Sequence, residues 1–133
     1  MKTLSIIIPA YNEEKTILQV LDRIYKVTFK HGTNLQVIIV DDFSTDSTVS
    51  LLNAYLKEYP DRTIKLLQNT KNKGKGACVI KGIEAVSGEI VLIQDADLEY
   101  HPDDYPSLLA PLEDGVADVV LGSRFISHKP HRV

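Results

Sequence analysis

Leu4-Ser5-Ile6-Ile7-Ile8-Pro9-Ala10-Tyr11-Asn12-Glu13-Glu14 contains a strand, its end and the approach to a helix. The almost continuous apolar run of residues 4–8 suits a strand covered on both faces. Pro9 closes it. Asn12 is expected to cap a helix with Glu13 and Glu14 in its first turn, near the positive end of the dipole. Ile17, Leu18, Leu21, Ile24 and Tyr25 then recur at helical spacing. The same succession repeats down the chain. Residues 35–40 form a second apolar run, closed by Asp41-Asp42, and Ser44 or Thr45 is expected to cap a helix facing inward through Val49, Leu52, Tyr55, Leu56 and Tyr59. Residues 63–67 read as a third strand. After the polar loop 68–75, a third helix is expected to turn Ala77, Ile80, Ile83 and Val86 inward, with Gly88 as its C-terminal cap. Residues 89–93 give a fourth strand. Pro102 opens a fourth helix with Tyr105, Leu108, Leu109 and Leu112 inward, and residues 118–121 a fifth strand.

Strict alternation of strand and helix predicts an α/β fold, with a mostly parallel sheet and helices on both faces. Ligands of such folds bind beyond the carboxyl ends of the strands. Three polar clusters fall there: Tyr11-Asn12-Glu13, Asp41-Asp42, and the acids of Asp95-Ala96-Asp97-Leu98-Glu99. Residues two apart on an extended chain project to one side, so Asp95, Asp97 and Glu99 can converge. Massed carboxylates repel unless a cation sits between them. Mg²⁺ or Mn²⁺ suits such an oxygen-rich site and commonly shares it with substrate phosphates.

Composition narrows the classes. The 133 residues fit one domain, 1–133, with 44% hydrophobic and 25% charged residues as in ordinary globular proteins. A net charge of −3 gives no electrostatic case for nucleic acid, whose sites need a basic patch. Lys71, Lys73 and Lys75 cluster locally, which fits a phosphate better than a duplex. Cys78 is the single cysteine, which excludes an intramolecular disulfide and a Cys-rich metal site and fits a reducing compartment; it is expected to fill a small core position. No apolar run approaches the roughly 20 residues that span a bilayer. The first ten residues are not expected to be a signal peptide, because Pro9 and Asn12-Glu13-Glu14 cut the apolar segment short. A cytoplasmic protein is the expectation. In Gly74-Lys75-Gly76, glycines would let backbone amides approach an anion, yet neither a P-loop nor a dinucleotide fingerprint is complete. His128 and His131 lie in a basic tail and are expected to be solvated.

Four stretches carry a resemblance. Pro9-Ala10-Tyr11-Asn12-Glu13, Val40-Asp41-Asp42-Phe43-Ser44-Thr45-Asp46-Ser47-Thr48, Asn72-Lys73-Gly74-Lys75-Gly76 and Asp95-Ala96-Asp97-Leu98-Glu99 occur in order. Together they resemble the family 2 glycosyltransferases of GT-A fold. With His101-Pro102-Asp103-Asp104-Tyr105-Pro106 and Gly122-Ser123-Arg124-Phe125 added, the chain is most similar to the polyprenyl-phosphate (dolichol-phosphate type) mannosyl- and glucosyltransferases. The resemblance runs from Leu4 to Phe125.

It implies an inverting transferase that moves a hexose from a GDP- or UDP-hexose donor to a polyprenyl phosphate. Pro9, Tyr11, Glu13, Val40 and Asp42 would line the base and ribose pocket, with Asp42 accepting from base or ribose. Asp95 and Asp97 would hold Mg²⁺ or Mn²⁺ at the donor diphosphate, with Glu99 as a third ligand. Ala96, between the first two, and Lys75 would border the donor. Asp97 and Arg124 would be the catalytic pair, Arg124 meeting the phosphates through a planar guanidinium. A lipid-phosphate nucleophile is already anionic and needs no general base, whereas a glycan hydroxyl would need a carboxylate. Relatives are usually longer, so the chain is expected to be the donor-binding half. Acceptor elements and any membrane contact would follow Phe125, at the cytoplasmic face of a membrane.

Alternatives stay open at this level. A non-catalytic or incomplete nucleotide-sugar-binding domain would bind donor without turnover. A response-regulator receiver shares the length and an Asp-Asp pair, but here the pair follows the second strand. A nucleotidyltransferase would need a Gly- and Arg-rich loop where Pro9-Ala10-Tyr11-Asn12-Glu13 stands. The base, the sugar, the acceptor and the oligomeric state, a homodimer included, are not legible.

Overall fold

A computed structural model describes residues 3–26, 34–88 and 90–96. The expected fourth helix and fifth strand lie outside them, as do Asp97, Glu99, Arg124, His128 and His131. The described elements are β1 (Thr3–Ala10), α1 (Ile17–Lys26), β2 (Asn34–Asp41), α2 (Thr48–Glu58), β3 (Ile64–Gln68), α3 (Lys75–Ala85) and β4 (Ile90–Ile93). All strand pairings are parallel, and the sheet order is β3-β2-β1-β4. Among the described residues, no helix is long and apolar enough to cross a membrane.

The pleat divides the apolar runs between two cores. Leu4, Ile6 and Ile8 of β1, Val37 and Ile39 of β2, and Ile90 and Leu92 of β4 share one face, because Ile6 pairs with both Val37 and Leu92. Against them lie Ile17, Val20, Leu21 and Ile24 of α1 and Leu52 and Tyr55 of α2. The opposite face presents Ile38 and Val40, which pack with Cys78 of α3. Helices therefore cover both faces, as the unbroken apolar runs require. At the end remote from the acids, Arg62 fastens α1 to α2. Its guanidinium carbon lies 3.8 Å from the Tyr59 ring centre and 4.3 Å from that of Tyr25.

Four local expectations need correction. Asn12 does not cap α1, which starts at Ile17; the carbonyl of Glu13 takes the N–H groups of Thr16 and Ile17 instead. Neither Ser44 nor Thr45 caps α2. The cap position is Ser47, and Asp46 Oδ1 accepts from Thr48 N at 2.9 Å. Third, α3 buries Cys78 and Gly82, while Ile80 and Ile83 are exposed.

The reason for the reversed helix face is distance. A Cβ on Gly82 would stand 2.5 Å from Ile7 Cγ2, so the bare backbone is what lets α3 lie close to the sheet. Gly88 likewise serves close approach rather than capping. A Cβ there would stand 2.6 Å from the Thr3 carbonyl, and its N–H donates to Ser5 Oγ at 3.0 Å.

Gly82→Ala should therefore destabilise, against the usual helix preference. Alanine gains roughly 1 kcal/mol in a helix interior, but overpacking costs roughly 1–3 kcal/mol. Ile7 is fully buried and cannot swing clear. A net loss of about 1 kcal/mol in urea unfolding is expected; a gain in stability would show that α3 can shift outward freely.

Candidate functional site

Chain order and sheet order part company at β1. From it the chain runs outward through β2 and β3, then returns to place β4 on the other side. Such a switch leaves a crevice at the carboxyl ends of the two strands that flank it. Tyr11, Asn12 and Glu13 follow β1, and Asp95 follows β4. Thr16 Oγ1 donates to the Ala96 carbonyl at 2.9 Å, which ties the end of β4 to the loop after β1.

The loops after β1 and β2 are sewn together by side chains that each lends to the other's backbone. Asn12 Oδ1 accepts from Thr45 N at 2.8 Å and from Asp46 N at 3.3 Å. In return Asn12 N donates to Ser44 Oγ at 2.9 Å, and Glu13 N to Thr48 Oγ1 at 2.9 Å. Glu14 N donates to Asp46 Oδ2 at 3.3 Å, and Ser47 N to Glu14 Oε2 at 3.1 Å. Burial alone would raise the Asp46 pKa; the donors from Thr48 and Glu14 outweigh it and hold the carboxyl below its ordinary value.

Asp41 and Asp42, adjacent at a strand end, turn to opposite faces. Asp41 Oδ2 accepts from Ser44 N at 3.0 Å within its own loop. Asp42 turns toward α3 and organises the segment after β3. Its Oδ1 accepts from Asn69 Nδ2 at 2.9 Å and Lys73 N at 2.8 Å, and its Oδ2 from Gly74 N at 2.8 Å. Burial pushes its pKa up, but the donors from Lys73, Asn69, Gly74 and Cys78 prevail and lower it. Gly74 reaches this position with φ of 93°, a conformation that favours glycine. The Gly74 amide, in the Gly74-Lys75-Gly76 stretch expected to approach an anion, is thus directed with that of Lys73 at the Asp42 carboxylate.

Asp42 is 4% exposed, so its observed work is to brace a loop. Val40 is fully buried and packs with Cys78, so its side chain offers no surface to a ligand, against the expectation that it lines the pocket. Ala96 is also buried and meets its surroundings through its carbonyl. Cys78 is a core thiol, as expected. Its pKa is pushed up to about 11, mainly by burial and then by the Asp42 charge.

Of the expected site residues, those open to a ligand are Tyr11, the partly exposed Pro9 and Glu13, and a pair at the crevice. Lys75 Nζ is in direct contact with Asp95 Oδ1. The lysine side chain is 59% exposed and the aspartate 17%. A cation thus already neutralises Asp95, whose hard oxygens fit a divalent ion. Among the described residues no three His, Cys, Asp or Glu side chains form a metal cluster; of the expected set, Asp95 alone is described.

Comparison with known proteins identifies the architecture. The model of the family described as Glycosyl transferase family 2 matches residues 5–130. The chain belongs to glycosyltransferase family 2. It is 34% identical over 122 residues to a dolichol-phosphate mannosyltransferase of Pyrococcus furiosus, covering 92% of this chain and 33% of the relative. It is 30% identical over 115 residues to an undecaprenyl-phosphate 4-deoxy-4-formamido-L-arabinose transferase of Shewanella sediminis, covering 86% and 34%. The chain thus spans about a third of these relatives.

Among solved structures, the mannosyltransferase PcManGT from Pyrobaculum calidifontis, in complex with GDP-Man and Mn²⁺, superposes with a TM-score of 0.66. Identity is 35%, over 71% of this chain and 27% of that one. S. aureus TarS 1–349 in complex with UDP gives a TM-score of 0.68 at 28% identity, over 86% and 32%. The fold of this family 2 member is GT-A.

Sequence reasoning missed Asn69, Asp46 and Thr48. Asn69 is buried between Asp42 and Lys81 Nζ, which donates to Asn69 Oδ1 at 3.1 Å. Its place just past β3, at a strand end like the acids, was the available signal.

Proposed function

We propose that the chain is the donor-binding part of an inverting glycosyltransferase that moves a hexose from a GDP- or UDP-hexose to a polyprenyl phosphate. The observation that carries the reading is the Lys75–Asp95 pair, set at the β1–β4 switch, with the exposed Tyr11 following β1. It offers a carboxylate for a divalent ion and an ammonium for a phosphate at one point. The named activities of the two polyprenyl-phosphate relatives and the GDP-Man and Mn²⁺ of PcManGT support it.

In this reading Asp95, with Asp97 and Glu99, would hold Mg²⁺ or Mn²⁺. The bound ion would offset negative charge on the departing nucleoside diphosphate. Lys75 exchanges its contact with Asp95 for a donor phosphate. Asp97 and Arg124 act at the reacting end, Tyr11, Glu13 and Pro9 border the nucleoside, and Asp42 keeps the 72–75 loop in position. An anionic lipid phosphate attacks without a protein base, and the work takes place at the cytoplasmic membrane face.

Calorimetric titration of GDP, UDP, GDP-mannose and UDP-glucose, each with Mn²⁺ and with EDTA, tests this. One nucleotide should bind, at least about tenfold tighter with Mn²⁺. A folded chain that binds none of the four would remove the donor-site reading.

A further inference from the structure

We infer that Phe43 supplies a face on which the base of the bound nucleotide stacks, an inference that rests on the donor-site reading and adds a residue to it. Phe43 follows Asp42 at the end of β2 with φ of 65°, in the left-handed region that side chains with a Cβ seldom adopt. The backbone on either side leaves it no relaxation. Asp42 N donates to the Ala10 carbonyl at 2.8 Å, and Ser44 N to Asp41 Oδ2 at 3.0 Å. Glycine or asparagine would take this conformation at lower cost. Phenylalanine bears the cost while remaining 51% exposed, so burial does not offset it. Strain of this kind concentrates at ligand sites.

Its surroundings indicate the ligand. Tyr11, 45% exposed, stands at the end of the neighbouring strand, where Ala10 pairs with Asp41. Among the described residues, the exposed aromatic side chains are these two. A ring face is electronegative and disfavours phosphate, whereas a flat heterocycle stacks on it. Every base has such a face, so Phe43 contributes affinity without choosing between guanine and uracil.

Titration of GDP, UDP and pyrophosphate in Mn²⁺ buffer, on the parent chain, Phe43→Asn and Phe43→Tyr, tests the inference. Phe43→Asn should lose about tenfold in affinity for the nucleoside diphosphate that the parent binds and nothing for pyrophosphate. Its Tm should stay within about 3 °C of the parent, and Phe43→Tyr should bind as the parent does. Equal nucleotide affinity in Phe43→Asn overturns the inference, and so does an equal loss for pyrophosphate, which would mean a disturbed loop. A parent that binds neither nucleotide removes the donor site itself.

Discussion

Asp42→Ala is expected to lower stability by about 3 kcal/mol and Tm by roughly 10–15 °C. The substitution removes the acceptor of Asn69 Nδ2, Lys73 N and Gly74 N together. Lys73 is exposed and water can replace its partner, but Asn69 is 4% exposed and keeps one unsatisfied amide N–H, its other N–H meeting the weak acceptor Cys78 Sγ at 3.4 Å. Hydrogen bonds to an ionised acceptor contribute more than neutral ones, so the largest part of the loss comes from the buried end of the network.

The sign with pH follows. A carboxyl whose folded-state pKa is lowered stabilises above its unfolded value of about 4, and that contribution fades as pH falls through the folded-state value. The gap between parent and Asp42→Ala should therefore be full near neutrality and shrink on acidification. Urea unfolding between pH 7 and pH 3 measures it. A gap that stays constant would mean that the carboxylate's charge does not hold the loop.

Asp95→Asn should weaken Mn²⁺-dependent nucleotide binding on the order of 100-fold, about 2.7 kcal/mol, with stability within about 0.5 kcal/mol of the parent. The contrast with Asp42 follows from exposure. The Lys75 partner is 59% exposed, so breaking the pair leaves a solvated ammonium, whereas a divalent ion loses a charged oxygen ligand. Lys75→Ala should move two affinities in opposite directions. Mn²⁺ alone binds more tightly once its competitor at Asp95 is gone, and the nucleoside diphosphate binds more weakly. Calorimetry with the ion alone and then with GDP or UDP reads both. Loss of ion binding in Lys75→Ala would mean that the lysine supports the carboxylate rather than competing for it.

The sheet was legible because its inner strands β1 and β2 are apolar on both faces and separated by helices. What sequence missed lies in contacts between distant segments. Ile80 and Ile83 scored as inward by hydropathy, but the α3 interface is set by how near the backbone can come, and Gly82 has no hydropathy to score. Asn12, Ser44 and Thr45 read as caps of their own helices because a local window holds no other partner. Across this edge their partners are 32 to 34 residues away in the other loop. The acids at the strand ends were found, but the division of labour between Asp42, closed over a loop, and Asp95, open to a cation, depends on Asn69, Lys73, Gly74 and Lys75 arriving from elsewhere.

The sewn loops after β1 and β2 also constrain how this edge can change length. Insertions are tolerated where a loop's ends are tied only to the elements it joins. Here each loop borrows acceptors from the other, so an added residue in one would pull Asn12 or Asp46 out of reach of its partner. The two loops can lengthen only in concert. Variation in size at this edge is thereby steered to the far side of the crevice, away from the paired loops.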